Sequence, residues 1–256
     1  MIEGVLVHAL VCLEVVLVSH LLAMKMFTKY NHTDERYLIS ISFGLFWFLL
    51  GLSYLCIGLY LMIAAYHGTS QISSTLLYWG FSSLALITAP LAFFIIQILI
   101  GDKRVSLAAS CSFMMVGLIF IFLLFRYGVD VADIGSWSVD FKMHTLLLLI
   151  FIYGSYIPAI AMIMALIPFV ALKTISNLRK YKITMSLISL SLAYDFTLLG
   201  VMNIGDFERL LFDVMILIGA LIAYLGYFPP DGIVEWLRGP DTLVEPVDFG
   251  KWDDDI

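Results

Sequence analysis

Glu14 and Asp195 are the residues best placed to do chemistry in this sequence, because each sits near the middle of a long apolar run. A carboxyl group at the centre of a bilayer costs about 2.5–3.5 kcal/mol on the insertion scale, and such a group by default marks function. Asp195 has polar company. Ser191 lies one helical turn before it on the same face, and Asn203 and Asp206 continue toward the end of the run. Tyr194 is adjacent in sequence but points about 100° away. In the next run Asp213, Leu217, Ala220, Tyr224 and Tyr227 share one helix face. The expectation is a polar cavity between these two runs that binds a small ligand or ion. Its candidate binding residues are Asp195, Glu14, Ser191, Asn203, Asp213 and Tyr224.

The first run is less coherent. His8, Cys12 and Ser19 follow one face, whereas Glu14 is nearly opposite, since two residues past Cys12 is about 200° of rotation. His8 and Glu14 are therefore not expected to hold one metal, and His8, near a helix end, is expected to meet water or lipid headgroups. Cys12, Cys56 and Cys111 all fall in apolar runs, where cysteine behaves as a small hydrophobe. No CxxC or Cys/His metal spacing is present. No metal, cofactor or disulfide framework is expected.

The elements that position these groups follow from hydropathy. Hydrophobic residues make up 62% of the 256, charged residues 13%, and the mean hydropathy is +1.00. A soluble domain has about 25% charged residues, so this composition excludes a soluble protein, a disordered chain and a nucleic-acid binder. Seven stretches approach or exceed the roughly 20 apolar residues of a spanning helix: about 4–24, 38–66, 75–100, 106–125, 144–172, 184–205 and 209–228. Backbone groups in a bilayer must bond within their own segment, so these are helices. The fold class is all-α, a polytopic membrane bundle over 1–228. Residues 229–256 form a short amphipathic segment and an acidic tail. The first stretch has no basic region before it and no small-residue cleavage site after it, so it reads as a span and not a signal peptide.

Orientation follows from the basic residues. Lys25, Lys29, Arg36, Lys103, Arg104, Lys173, Arg179, Lys180, Lys182, Arg238 and Lys251 fall on one side, against Arg126, Lys142 and Arg209 on the other. The side rich in Lys and Arg is cytoplasmic, which puts the N-terminus outside and the C-terminus inside. The formal net charge of −6 comes from the tail, where eight acids face Arg238 and Lys251. The longest loop, about 126–143, is expected to hold a short interfacial turn with Trp137 at the headgroups.

Packing marks accompany the polar ones. Gly44, Gly51 and Gly58 repeat every seven residues and form a seam for close helix approach. Gly219, Ala223 and Gly226 do the same in the last span. Pro90, Pro158 and Pro168 each free a backbone carbonyl and are expected to kink their helices.

Several activities are excluded. The last span has no lysine for a retinal Schiff base. Tyr194-Asp195 matches half of an intramembrane aspartyl protease, but Gly-x-Gly-Asp is absent, and Asn203-Ile204-Gly205-Asp206 is only a partial match. There is no HExxH, GxSxG or P-loop pattern. No catalytic residue is assigned and an enzyme is not expected. The topology, with Tyr224-Leu225-Gly226-Tyr227-Phe228-Pro229-Pro230 and then Trp236-Leu237, resembles the seven-helix sensor region at the N-terminus of some prokaryotic histidine kinases. That resemblance implies a sensor in the cell membrane, here a stand-alone one, since no kinase domain follows. The expected partners are the lipid bilayer, a small ligand or cation, and a cytoplasmic signalling protein. The alternative is a small transporter or ion carrier using Glu14 and Asp195 as midplane carboxylates.

Overall fold

The computed structural model describes residues 2–28, 36–68, 70–172, 176–202 and 205–238. Asn203 and the acidic residues beyond 238 lie outside them. Among the described residues, seven helical spans are long and apolar enough to cross a membrane: Glu3–Thr28, Tyr37–His67, Ser73–Ile100, Lys103–Tyr127, Thr145–Pro168, Lys180–Val201 and Asp206–Tyr227. Their bounds follow the hydropathy reading to within a few residues. The chain thus has the make-up of a multi-pass membrane protein.

In chain order the elements are α1 (Ile2–Thr28), α2 (Arg36–His67), α3 (Gln71–Leu86), α4 (Thr88–Ile100), α5 (Lys103–Tyr127), β1 (Val129–Ile134), β2 (Val139–Met143), α6 (Thr145–Ile150), a π-helical turn (Phe151–Tyr156), α7 (Ile157–Leu172), α8 (Asn177–Val201), α9 (Asp206–Tyr227) and α10 (Asp231–Arg238). The third span is two helices because of Pro90. Its ring has no N–H to offer the Leu86 carbonyl and clashes with it, so α3 stops at Leu86 and α4 starts afresh at Thr88. The fifth span is interrupted before Pro158 for the same reason, by a wider π-turn in which the Ile157 N–H reaches back to the Ile152 carbonyl. At Pro168, by contrast, α7 continues to Leu172.

Local signals set the other boundaries. Ser70 and Ser73 form a reciprocal capping box at the start of α3. Asp102 caps α5 by accepting from the Arg104 N–H at 2.7 Å. Gly101, at φ +79°, lets α4 turn into α5 over two residues.

The glycine seam of α2 packs on α1. A Cβ at Gly58 would come within 3.2 Å of the Cys12 Cβ, and one at Gly51 within 2.6 Å of His20 Nδ1. Gly219 and Gly226 play the same part between α9 and α8, against Ser189, Leu192 and Met185. Two close pairs, α1–α2 and α8–α9, are joined where α1 lies on α9. The fourth span, α5, is the least buried of the seven.

The loop expected to hold a turn is an antiparallel hairpin. β1 and β2 pair from Val129 opposite Met143 to Ile134 opposite Val139. In β2 the apolar Val139, Phe141 and Met143 alternate with Asp140 and Lys142, as a strand with one covered face requires. The Gly135–Ser138 tip folds onto α1 and α9. A Cβ at Gly4 would strike the Ser136 carbonyl, and one at Gly135 would strike the Asp206 carboxyl group. Trp137 is partly exposed and sets its ring against Phe207.

Candidate functional site

Asp213 is the centre of the site, and its partners come from spans that hydropathy alone could not bring together. On α1, His8 and Cys12 are four residues apart and so share one face, about one turn from each other. That face turns inward: His8 is 2% exposed and Cys12 fully buried. On α9, Arg209 and Asp213 have the same four-residue spacing, and both are buried. Gly58 of α2 gives Cys12 room to approach, and Tyr54, one turn earlier on α2, reaches the same point.

The bonds are direct. His8 Nε2 lies 2.7 Å from Asp213 Oδ2. The Tyr54 hydroxyl donates to Asp213 Oδ1 at 2.9 Å, and the Cys12 thiol points at Oδ2 from 3.5 Å. His8 Nδ1 is 3.1 Å from the Trp137 carbonyl. A carbonyl only accepts, so Nδ1 carries a proton and Nε2 is the nitrogen presented to Asp213. Arg209 fixes the hairpin above. Its guanidinium donates to the Val139 carbonyl at 2.6 Å, pairs with Asp140 at 3.1 Å and lies over the Phe141 ring. The Trp137 N–H donates to Asp206 Oδ2 at 2.8 Å, which adds a second fastening.

A cavity of about 50 Å³ adjoins these groups. That is room for a few waters or one small ligand, since a water needs roughly 10–15 Å³ measured this way. His8, Tyr54, Asp213 and Arg209 line it, with Tyr60 of α2 and the hairpin residues Ser138, Val139 and Phe141. Three wall groups have no hydrogen-bond partner among the described residues, the Tyr60 hydroxyl, Thr197 Oγ1 and Arg209 Nε. Buried polar groups are normally bonded, so unmet donors on a cavity wall call for something to bond to.

The six residues expected to bind a ligand are distributed over several places. Asp213 is the centre just described. Asp195 accepts from the Tyr156 hydroxyl at 2.8 Å, toward the fifth span, and is not on the cavity wall. The reason is helical phase. Thr197, which does line the cavity, is two residues on and therefore about 200° around α8. Ser191 lies on the Asp195 side of that helix, half-buried. Tyr224 sits near the opposite end of α9, where it accepts from the Lys25 ammonium group, which also lies over the rings of Tyr224 and Phe228.

Glu14 is exposed on the outer face of α1 and has no polar partner among the described residues. Glu14→Leu is therefore expected to keep the fold and to melt, in lipid nanodiscs, at or above the wild-type temperature. A clear fall would mean that this carboxyl group has a partner outside the chain.

No family model matches the chain, and no curated protein matches it.

His8 departs from expectation because the hairpin covers the helix end that the sequence leaves open to headgroups. Sequence reasoning passed over Cys12, Tyr54 and Arg209 as well. Two signals were present: the His8–Cys12 and Arg209–Asp213 pairs, each polar at four-residue spacing inside an apolar span.

Proposed function

We propose that this protein is a seven-helix membrane sensor that binds a small ligand or ion in the cavity beside Asp213 and signals its occupancy to a cytoplasmic partner. The observation that carries this reading is the convergence of His8, Tyr54 and Asp213, from three helices, on a cavity whose wall keeps unmet polar groups. A purely structural polar cluster closes on itself, because every buried group left unbonded is costly. The basic-residue count supports a reading in which the hairpin end is outside the cell membrane and the cavity samples the external side. The same count supports a cytoplasmic α10. There Trp236, 80% exposed on α10, is free to meet a membrane surface or a partner protein.

Transmission has a physical route. α1 and α9 are tied at His8–Asp213 and again at Lys25–Tyr224, about 25 Å further along α1 and about 17 Å further along α9 at 1.5 Å per residue. A ligand that alters the first tie shifts the packing of the same two helices at the second, provided that it binds the two arrangements unequally. The segment from Tyr224 to Pro230, which resembles the helix end of prokaryotic sensor regions, directly follows that second tie. The carrier reading has no comparable support, since Glu14 and Asp195 lie on different helix faces with no described group joining them.

The test is the melting temperature of detergent-purified protein against a panel of small organic ligands and ions, beside Asp213→Asn. A ligand at 100 times its Kd stabilises the folded state by about 2.7 kcal/mol. The expected result is a shift for at least one ligand that disappears in Asp213→Asn. Identical responses in the two proteins across the panel would remove the site.

A further inference from the structure

We propose that His8, Cys12 and Asp213 form a binding site for a borderline transition-metal cation, Zn²⁺ foremost; this names the ligand class of the sensor site above and rests on that reading. The three side chains are buried, and their ligand atoms all lie within 4.8 Å of one another. Imidazole nitrogen, thiolate sulfur and carboxylate oxygen are the donor types that Zn²⁺ takes, and a thiolate turns the set away from Mg²⁺ and Ca²⁺.

The spacing is close to what coordination requires. Tetrahedral Zn²⁺ with bonds of about 2.0–2.3 Å holds its ligand atoms roughly 3.3–3.6 Å apart. Cys12 Sγ and Asp213 Oδ2 are already 3.5 Å apart. His8 Nε2 and Oδ2, at 2.7 Å, have to open by less than about 1 Å.

The outer shell argues for a metal more than the ligands do. A metal-bound histidine typically donates its other ring N–H to a carbonyl or carboxylate, and a ligating carboxylate is itself hydrogen-bonded. His8 meets the first condition through Nδ1 and the Trp137 carbonyl, and Asp213 the second through Tyr54. On binding, the thiol proton of Cys12 and the proton between Nε2 and Oδ2 leave to solvent. The divalent ion is then balanced by one thiolate and one carboxylate. Arg209, the nearby cation, is engaged by Asp140 and the Val139 carbonyl. Three protein ligands leave a fourth position, and the cavity that His8 and Asp213 line adjoins it.

The experiment adds Co²⁺ and Zn²⁺ separately to the purified, metal-stripped full chain. The expected results are one ion bound per chain and the thiolate-to-cobalt charge-transfer absorption of a tetrahedral site. Cys12→Ser abolishes that absorption, Cys56→Ser and Cys111→Ser leave it intact, and Tyr54→Phe weakens Zn²⁺ binding about 10–100-fold as an outer-shell change. Because wild type carries the decisive spectrum, a variant that fails to fold does not rescue or sink the proposal. Absence of metal binding to wild type, or a charge-transfer band that survives Cys12→Ser, overturns it. If metals fail while another ligand still shifts melting in an Asp213-dependent way, the metal site is wrong and the sensor reading stands; if nothing shifts melting, both are wrong.

Discussion

Asp213→Ala is expected to lower the melting temperature more than any other substitution at the hairpin end of the bundle. The loss strands the His8 imidazole and the Tyr54 hydroxyl in the interior, and the 2.7 Å and 2.9 Å bonds go together. Breaking a buried pair by removing one member costs about 3–5 kcal/mol, because the other member remains buried and unpaired. Asp213→Asn keeps an acceptor for Tyr54 and costs less. His8→Ala combined with Asp213→Ala should cost less than the two single changes added together, since the pair is then removed as a unit. Thermal melting of the four proteins checks this. Additive losses would mean that His8 and Asp213 do not act on each other.

Gly226→Leu is expected to be comparably severe for a different reason. A Cβ at Gly226 would lie 2.5 Å from the Cβ of Met185, an atom fixed by its own backbone. No rotamer relieves that overlap, so α8 and α9 must move apart, and overpacking of this kind costs about 1–3 kcal/mol or more. The helix preference for any side chain over glycine returns at most about 1 kcal/mol. Gly200→Ala makes the contrast, since a Cβ there meets nothing within 4 Å and should stabilise α8. Opposite shifts in melting are the expected pair; a neutral Gly226→Leu would show that α8 and α9 do not pack this closely.

The two cases also mark what could be read from sequence. The seven spans were legible because length and hydropathy are local properties. The glycine seam at 44, 51 and 58 was legible because seven residues are close to two helical turns, so the three positions share a face whatever the neighbour is. A missing N–H at Pro90, Pro158 and Pro168 pointed to a kink at each, but not to which would end a helix, as Pro90 does and Pro168 does not. The meeting of His8 with Asp213, 205 residues apart, was not. In a soluble helix the polar face points to water and fixes the rotation. Here both faces of α1 are largely apolar, and the expectation that a midplane acid looks into the bundle favoured Glu14 over Cys12. The structure turns Cys12 in and Glu14 out, opposite sides of one helix, as their 200° separation requires. The hairpin was missed because its strands are only six and five residues long, bounded by helices.

The hairpin sets a clock. On the proposed reading a ligand in the cavity would sit against Ser138 and Val139, the strand that Arg209 clasps through the Val139 carbonyl and Asp140. Bonds to His8, Tyr54 and Asp213 would set the affinity, whereas the clasp of Arg209 on the hairpin would slow entry and exit together. The two quantities are therefore separable. If the protein is the proposed sensor, weakening the clasp would shorten its memory of a past exposure with little change in the concentration at which it responds, and tightening it would turn a momentary signal into a lasting one.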